Sequence, residues 1–132
     1  MEEENKIIIK AVVEILGTPK EHVEDTIRHV VEKIKEQFKV INDVVYDAVE
    51  VKGLWSSFVD VEIEVKNFDD IIGICFDYMP SSIEIIKPEE FSITNNQIMD
   101  FLNDLIARLH KYDMVVKNLR AENLVLKKRI NR

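Results

Sequence analysis

The chain of 132 residues has little cysteine, little glycine and no long apolar run, and each shortage excludes a class of protein. With one cysteine, Cys75, no disulfide can form within the chain. With three glycines, the chain cannot build a glycine-rich loop that binds phosphate. No stretch of about 18 uncharged apolar residues is present, so we expect no membrane-spanning helix.

The N-terminal stretch MEEENKIIIK is acidic where a secretory signal peptide would be basic. We therefore expect a cytoplasmic protein. Cys75 lies within the apolar run IIGICF, and we expect its side chain to be buried as a small hydrophobic group rather than exposed as a reactive thiol.

The net charge of −7 is unevenly distributed along the chain. Residues 1–107 hold 23 acidic and 10 basic side chains, a balance of −13, whereas residues 108–132 hold 2 acidic and 8 basic side chains, a balance of +6. An acidic body repels nucleic acid and anionic membrane surfaces, so we expect neither as a partner.

The chain also lacks any arrangement of residues that would support catalysis. It has no nucleophile elbow, no P-loop motif and no cysteine and histidine cluster with the spacing of metal ligands. His22 and His29 share a helix face that we expect to be solvated, and the row Asp60, Glu62 and Glu64 is typical of a wet sheet face. We therefore predict no catalytic residue, no metal site and no cofactor, and we expect a protein that is not an enzyme.

Hydrophobic periodicity over residues 6–88 predicts a strand, a helix, two strands, a helix and a strand. Residues 6–16 are rich in β-branched side chains and predict the first strand. A helix follows over residues 19–37, with Thr18 as its N-cap and Glu21 completing a capping box.

Residues 40–52 and 54–66 are predicted as two strands joined near Gly53, the first of them irregular enough for a bulge or a loop. Asn67 is the predicted N-cap of the second helix, which ends before Pro80. A short last strand, SSIEII, completes the pattern.

This order is that of the ferredoxin-like βαββαβ sandwich, an α+β fold with both helices on one face of the sheet. We predict a ferredoxin-like α+β domain over residues 1–93 and a C-terminal coiled-coil helix over residues 94–132. On the open face of the sheet we expect an apolar patch that needs a cover, formed by Ile8, Val12, Leu16, Leu54 and Phe58.

The last helix is predicted over residues 96–130, with a capping signal from Thr94 and Gln97. Its apolar residues alternate at spacings of four and three, which is typical of a coiled coil. The a positions hold Leu102, Leu109, Val116, Asn123 and Ile130, and the d positions hold Ile98, Leu105, Tyr112, Leu119 and Leu126. We predict a dimer interface formed by Leu105, Leu109, Tyr112, Val116, Leu119, Asn123, Leu126 and Ile130.

Asn123 stands alone as a polar residue in this seam. In a parallel two-stranded coil it would lie across from the same residue of the second chain, and the two amides would fix the register. The flanking charges agree, because Arg108 would meet Asp113 and Glu122 would meet Lys127 of the second chain.

Other features leave alternatives open. Leu124 and Val125 fall outside the seam, which allows a higher oligomer or a different protein as partner. Met99, Phe101 and Ile106 widen the apolar stripe in the first half of the helix, which favours packing of that half on the globular domain. The helix could also fold back entirely onto its own sheet.

Two resemblances accompany this pattern. In element order, and in Gly17 within ILGTPKEHV, residues 6–88 resemble ACT-type regulatory modules. That resemblance implies that a small ligand such as an amino acid binds near Gly17 and Thr18. The runs GTPKEHVE, MPSSIEII and LNDLIARLH are similar to small hypothetical proteins of archaea, which bring no known activity.

We therefore expect a non-enzymatic homodimeric adaptor or scaffold that is joined through a parallel coiled coil. Its expected partners are a second copy of the chain and, in addition, another protein. The alternative is a module that senses a small molecule.

Overall fold

The computed structural model describes residues 6–131, and these residues divide into two compact units, one ending at Phe91 and the other beginning at Ser92. The elements in chain order are β1 (Ile7–Gly17), α1 (Lys20–Gln37), β2 (Lys39–Val45), β3 (Val49–Val51), β4 (Leu54–Val65), α2 (Phe68–Tyr78), β5 (Ser82–Lys87) and α3 (Asn95–Ile130). We call the first unit the head; the second contains α3.

The head contains one antiparallel sheet with the strand order β2-β4-β1-β5, and β3 also pairs with β4. The predicted second strand is broken: its register shifts between Val40 and Asn42, and β2 and β3 pair with successive parts of β4. With β2 and β3 counted as one strand, the order is that of the ferredoxin-like sandwich, and the predicted fold class is confirmed.

The core lies on one face of the two central strands. Ile9 of β1 is paired with Ile63 of β4, and alternate residues on both strands point to the same side. Ile34 of α1 and Ile74 of α2 belong to the same buried cluster, so both helices cover this face. The fully enclosed members of β1 and β4 are Ile9, Ala11, Val59, Val61 and Ile63.

The opposite, open face of the sheet carries both apolar and charged side chains. Of the predicted apolar patch, Leu16, Leu54 and Phe58 are exposed there, whereas Ile8 and Val12 are half-buried. Lysines in β1 and just before it pair with the acidic row of β4. Lys10 Nζ of β1 lies 3.6 Å from Asp60 Oδ2, and Nζ of Lys6, the residue before β1, lies 3.6 Å from Glu64 Oε1. These cross-strand ion pairs neutralise much of the row.

The start of α1 differs from the predicted capping box. The helix begins at Lys20, and its N-cap is Pro19, which has no side chain able to accept a hydrogen bond. The Pro19 carbonyl accepts from the backbone N–H of His22 (3.1 Å) and Val23 (3.2 Å). Because the helix begins one residue later than predicted, Thr18 and Glu21 do not occupy the N-cap and third helical positions that a capping box needs.

The predicted cap of α2 is confirmed, because Asn67 Oδ1 accepts a hydrogen bond from the backbone N–H of Asp70 at 3.0 Å. The predicted burial of Cys75 is wrong. Its side chain is exposed, whereas the preceding residue, Ile74, is 1% exposed. The face of α2 that packs on the core contains Ile71, Ile74 and Tyr78, which are spaced by three and four residues.

Candidate functional site

The long helix α3 is built from strong local signals. Thr94 Oγ1 accepts from the backbone N–H of Gln97 at 3.2 Å, and the Thr94 N–H donates to Gln97 Oε1 at 2.9 Å. This confirms the predicted capping box. The helix then runs for 36 residues, about 54 Å at 1.5 Å per residue, and ends in a basic turn that suits the negative end of the helix dipole.

No residue of α3 is buried. Phe101 and Leu105 are half-buried, and the other large apolar side chains of the predicted seam are exposed. Leu109, Leu119 and Leu126 are each more than half exposed, and Ile130 is 81% exposed. All four belong to the predicted seam. A continuous apolar surface of this kind is typical of a surface that associates with another molecule, because its exposure to water is unfavourable.

A groove of about 450 Å³ lies along the second half of this seam. The groove is lined by Val116, Leu119, Arg120, Glu122, Asn123 and Leu126. These six residues form two overlapping diamonds with the spacing i, i+3, i+4 and i+7, one over residues 116–123 and one over residues 119–126. Four residues arranged in this way make the hole that receives one side chain of a second helix in a coiled coil. We call this surface the seam groove.

Asn123 lies in both diamonds of the seam groove. Within residues 6–131 its side chain makes no hydrogen bond, so the amide can pair with a group outside the chain. Glu122 and Lys127 likewise form no ion pair within the described residues, which leaves both ends of that predicted interchain pair available.

The other predicted interchain pair has competitors within the helix. Arg108 Nε lies 3.2 Å from Asp104 Oδ2, and Lys117 Nζ lies 2.7 Å from Asp113 Oδ2. An interchain contact between Arg108 and Asp113 would compete with both of these. Since exposed ion pairs contribute at most about 1 kcal/mol, the apolar seam would dominate the energetics of any association through α3.

Gly17 and Thr18, the residues implied by the ACT-type resemblance, lie at and just after the end of β1. A Cβ added at Gly17 would lie 3.6 Å from Val23 Cγ2, an ordinary van der Waals contact. The space around Gly17 therefore does not require glycine. A ligand site here stays a prediction.

A cavity that the sequence did not predict lies where β1 begins and β4 ends. It measures about 440 Å³ and is lined by Lys6, Gln37, Phe38, Lys39, Glu64, Val65, Lys66 and Asp70. Its charges are partly matched, because Lys6 pairs with Glu64, and Asp70 Oδ2 accepts from the backbone N–H of Lys66 at 3.0 Å. Four elements and three residues that flank elements contribute to it, so no local sequence pattern indicates it.

Two kinds of feature are absent from the described residues. Across residues 6–131, no three side chains of histidine, cysteine, aspartate or glutamate lie together as metal ligands would. No helix in the same stretch is both long enough and apolar enough to cross a membrane.

The fold and the site define a class: a ferredoxin-like α+β head followed by a long amphipathic helix with an exposed apolar seam. The chain belongs to the MJ0538 family, whose sequence model matches residues 8–130. It is 29% identical over 110 residues to "Uncharacterized protein MJ0538" of Methanocaldococcus jannaschii, which confirms the resemblance to archaeal proteins. That alignment covers 80% of this chain but 42% of the relative. No solved structure matches the chain.

Proposed function

We propose that the protein is a non-enzymatic homodimeric adaptor or scaffold, joined through a parallel coiled coil of α3. The observation that carries the proposal is the seam groove, which presents two consecutive holes on a helix without a single buried residue. A second α3 supplies apolar side chains with the spacing that those holes need.

The parallel orientation is supported by Asn123. In a parallel coil in register, each Asn123 faces the other, and both amides are satisfied by one contact. In other registers the amide faces an apolar side chain and loses its hydrogen bonds to water, which costs about 1–3 kcal/mol.

The proposed non-enzymatic role is supported by the contacts that a carboxylate of the acidic row makes on the head. Asp60 accepts a hydrogen bond from the Tyr46 hydroxyl at 3.1 Å and pairs with Lys10, so this carboxylate is held in structural contacts. The same hydrogen bond raises the pKa of Tyr46.

A dimer carries two heads, and two linked binding modules raise the effective concentration of whatever they bind. We include a cytoplasmic location in the proposal, because a single cysteine suits a reducing compartment.

We expect light scattering to give twice the mass of one chain for the intact protein and the mass of one chain for a form truncated after residue 107. Leu119→Glu should also give single chains, because a carboxylate in the seam would have to be desolvated. Asn118→Glu is the matched control: it adds the same charge on the neighbouring residue, outside the seam, and should leave the dimer intact.

Circular dichroism of the truncated form shows whether the head stays folded. A single-chain mass for the intact protein at about 100 μM would contradict the coiled coil, because specific dimers typically form well below that concentration. Equal dimerisation of the Leu119→Glu and Asn118→Glu forms would place the interface elsewhere.

Orientation can be measured with Asn123→Cys in a Cys75→Ser background. In a parallel coil in register, the two introduced thiols lie across from each other within reach of a disulfide, so mild oxidation should give a covalent dimer. The control, Asn118→Cys in the same background, places the thiols on the outside and should remain mostly uncrosslinked. An antiparallel dimer would show no difference between the two.

A further inference from the structure

A second groove lies on α3 outside the seam groove. It measures about 390 Å³ and is lined by Ala121, Glu122, Val125, Leu126 and Arg129. Residues 122, 125, 126 and 129 again have the spacing i, i+3, i+4 and i+7, so the groove has the geometry that receives a side chain of another helix. Only Leu126 of these belongs to an a or d position.

The groove borders a second apolar surface, which we call the outer face and define as the b, c and f positions of residues 107–131. Its apolar members Met114, Leu124 and Val125 are 64%, 61% and 49% exposed. Ala121 lies between them and leaves room for a large side chain. The seam lies on the opposite side of the helix, so a two-stranded coil leaves the outer face uncovered.

Charge identifies the kind of molecule that fits this face. The outer face contains three lysines, Lys111, Lys117 and Lys128, and no acidic residue. Lys117 is paired with Asp113, which leaves Lys111 and Lys128 without an ion pair within the described residues, and the groove beside them is lined by one acidic residue, Glu122, and one basic residue, Arg129. Residues 108–132 hold 2 acidic and 8 basic side chains. Contact between two outer faces would bring like charges together, which disfavours a second copy of this chain. An acidic segment gains attraction on the same surface.

We propose that the outer face binds an acidic amphipathic helix of another protein, with its apolar side chains over Ala121 and Val125 and its carboxylates beside Lys111 and Lys128. A helix suits the diamond spacing of the groove, which an extended peptide does not match. The inference rests on the proposed function, because the coiled-coil dimer is what leaves this face open.

The test uses the intact protein and three fluorescent peptides of about 20 residues, long enough for several turns of helix. One has a leucine stripe flanked by glutamates, the second has lysines in place of the glutamates, and the third has the composition of the first with the stripe scrambled. We expect the first to bind at least about tenfold more tightly than the others by fluorescence anisotropy. Its affinity should fall between about 50 mM and about 500 mM salt.

The combined change Lys111→Glu and Lys128→Glu should reverse the preference, so that the lysine peptide binds more tightly than the glutamate peptide. Both positions lie outside the seam, and light scattering should show the same dimer. Equal binding of all three peptides, or no binding, would overturn the inference about the outer face. If light scattering then still gives the mass of a dimer, the proposed function is not contradicted. If the peptide dissociates the dimer, it binds in the seam, and that result would also overturn the inference about the outer face. A single-chain mass for the unaltered protein would instead refute the proposed function.

Discussion

Ile63→Ala should lower the free energy of unfolding of the head by about 2–5 kcal/mol. Ile63 is 0% exposed, and on its two sides it is paired with Ile9 of β1 and Val40 of β2. Alanine removes three carbon atoms from a site that neighbouring strands and helices hold in place, so a cavity remains. Since small domains are stable by about 5–15 kcal/mol, this is a large fraction of the total.

Urea unfolding measures this loss, with fluorescence of Trp55, the single tryptophan, as a signal from the same strand. We expect a lower midpoint and an unchanged slope. Ile41→Ala makes the same chemical change in β2 at a side chain that is 46% exposed, and should cost less than about 1 kcal/mol. If Ile63→Ala and Ile41→Ala lowered the free energy of unfolding equally, the strand register that encloses Ile63 would be contradicted.

Asn123→Leu should have the opposite effect on stability and a large effect on assembly. A leucine in the seam removes the cost of a buried amide, about 1–3 kcal/mol for each chain, so the thermal midpoint of the assembly should rise. It also removes the contact that favours one register and two strands. Light scattering should therefore show a broader range of masses than the unaltered protein gives.

Asn118→Leu is the matched control for that experiment. It makes the same substitution five residues earlier, at a c position outside the seam, and should leave the dimer mass unchanged. Circular dichroism melting compares the two variants. A lower midpoint for Asn123→Leu together with an unchanged dimer would show that Asn123 does not set the register.

The head could be predicted from its sequence to the level of element order, because each element has a clear period. Ile7, Ile9, Ala11 and Val13 recur at every second position of β1, and all are buried as that period indicates. The errors concern single positions. The prediction of a buried Cys75 is wrong because α2 is apolar on most of its circumference, so its sequence does not define the inward face. Thr18 is not the N-cap of α1, because the helix begins one residue later than its sequence predicts.

The candidate site was visible in the sequence as heptads, whereas its two grooves were not. A groove depends on which side chains stand beside one another on the helix surface, and the seam groove combines residues with three different spacings. Leu124 and Val125 were the only signal of the outer face. The cavity beside Lys6, Lys39 and Lys66 was missed because residues far apart in the chain form it.

The exposed Cys75 makes the head convenient for spectroscopy. Since it is the only thiol of the chain, a nitroxide spin label can be attached at one defined position without altering any residue. Desolvation by neighbouring atoms raises the pKa of the Cys75 thiol, so the reactive thiolate forms at higher pH, and labelling should proceed faster in mildly alkaline buffer. A homodimer would then carry two nitroxides, and pulsed electron resonance would report the spacing of the two heads in frozen solution.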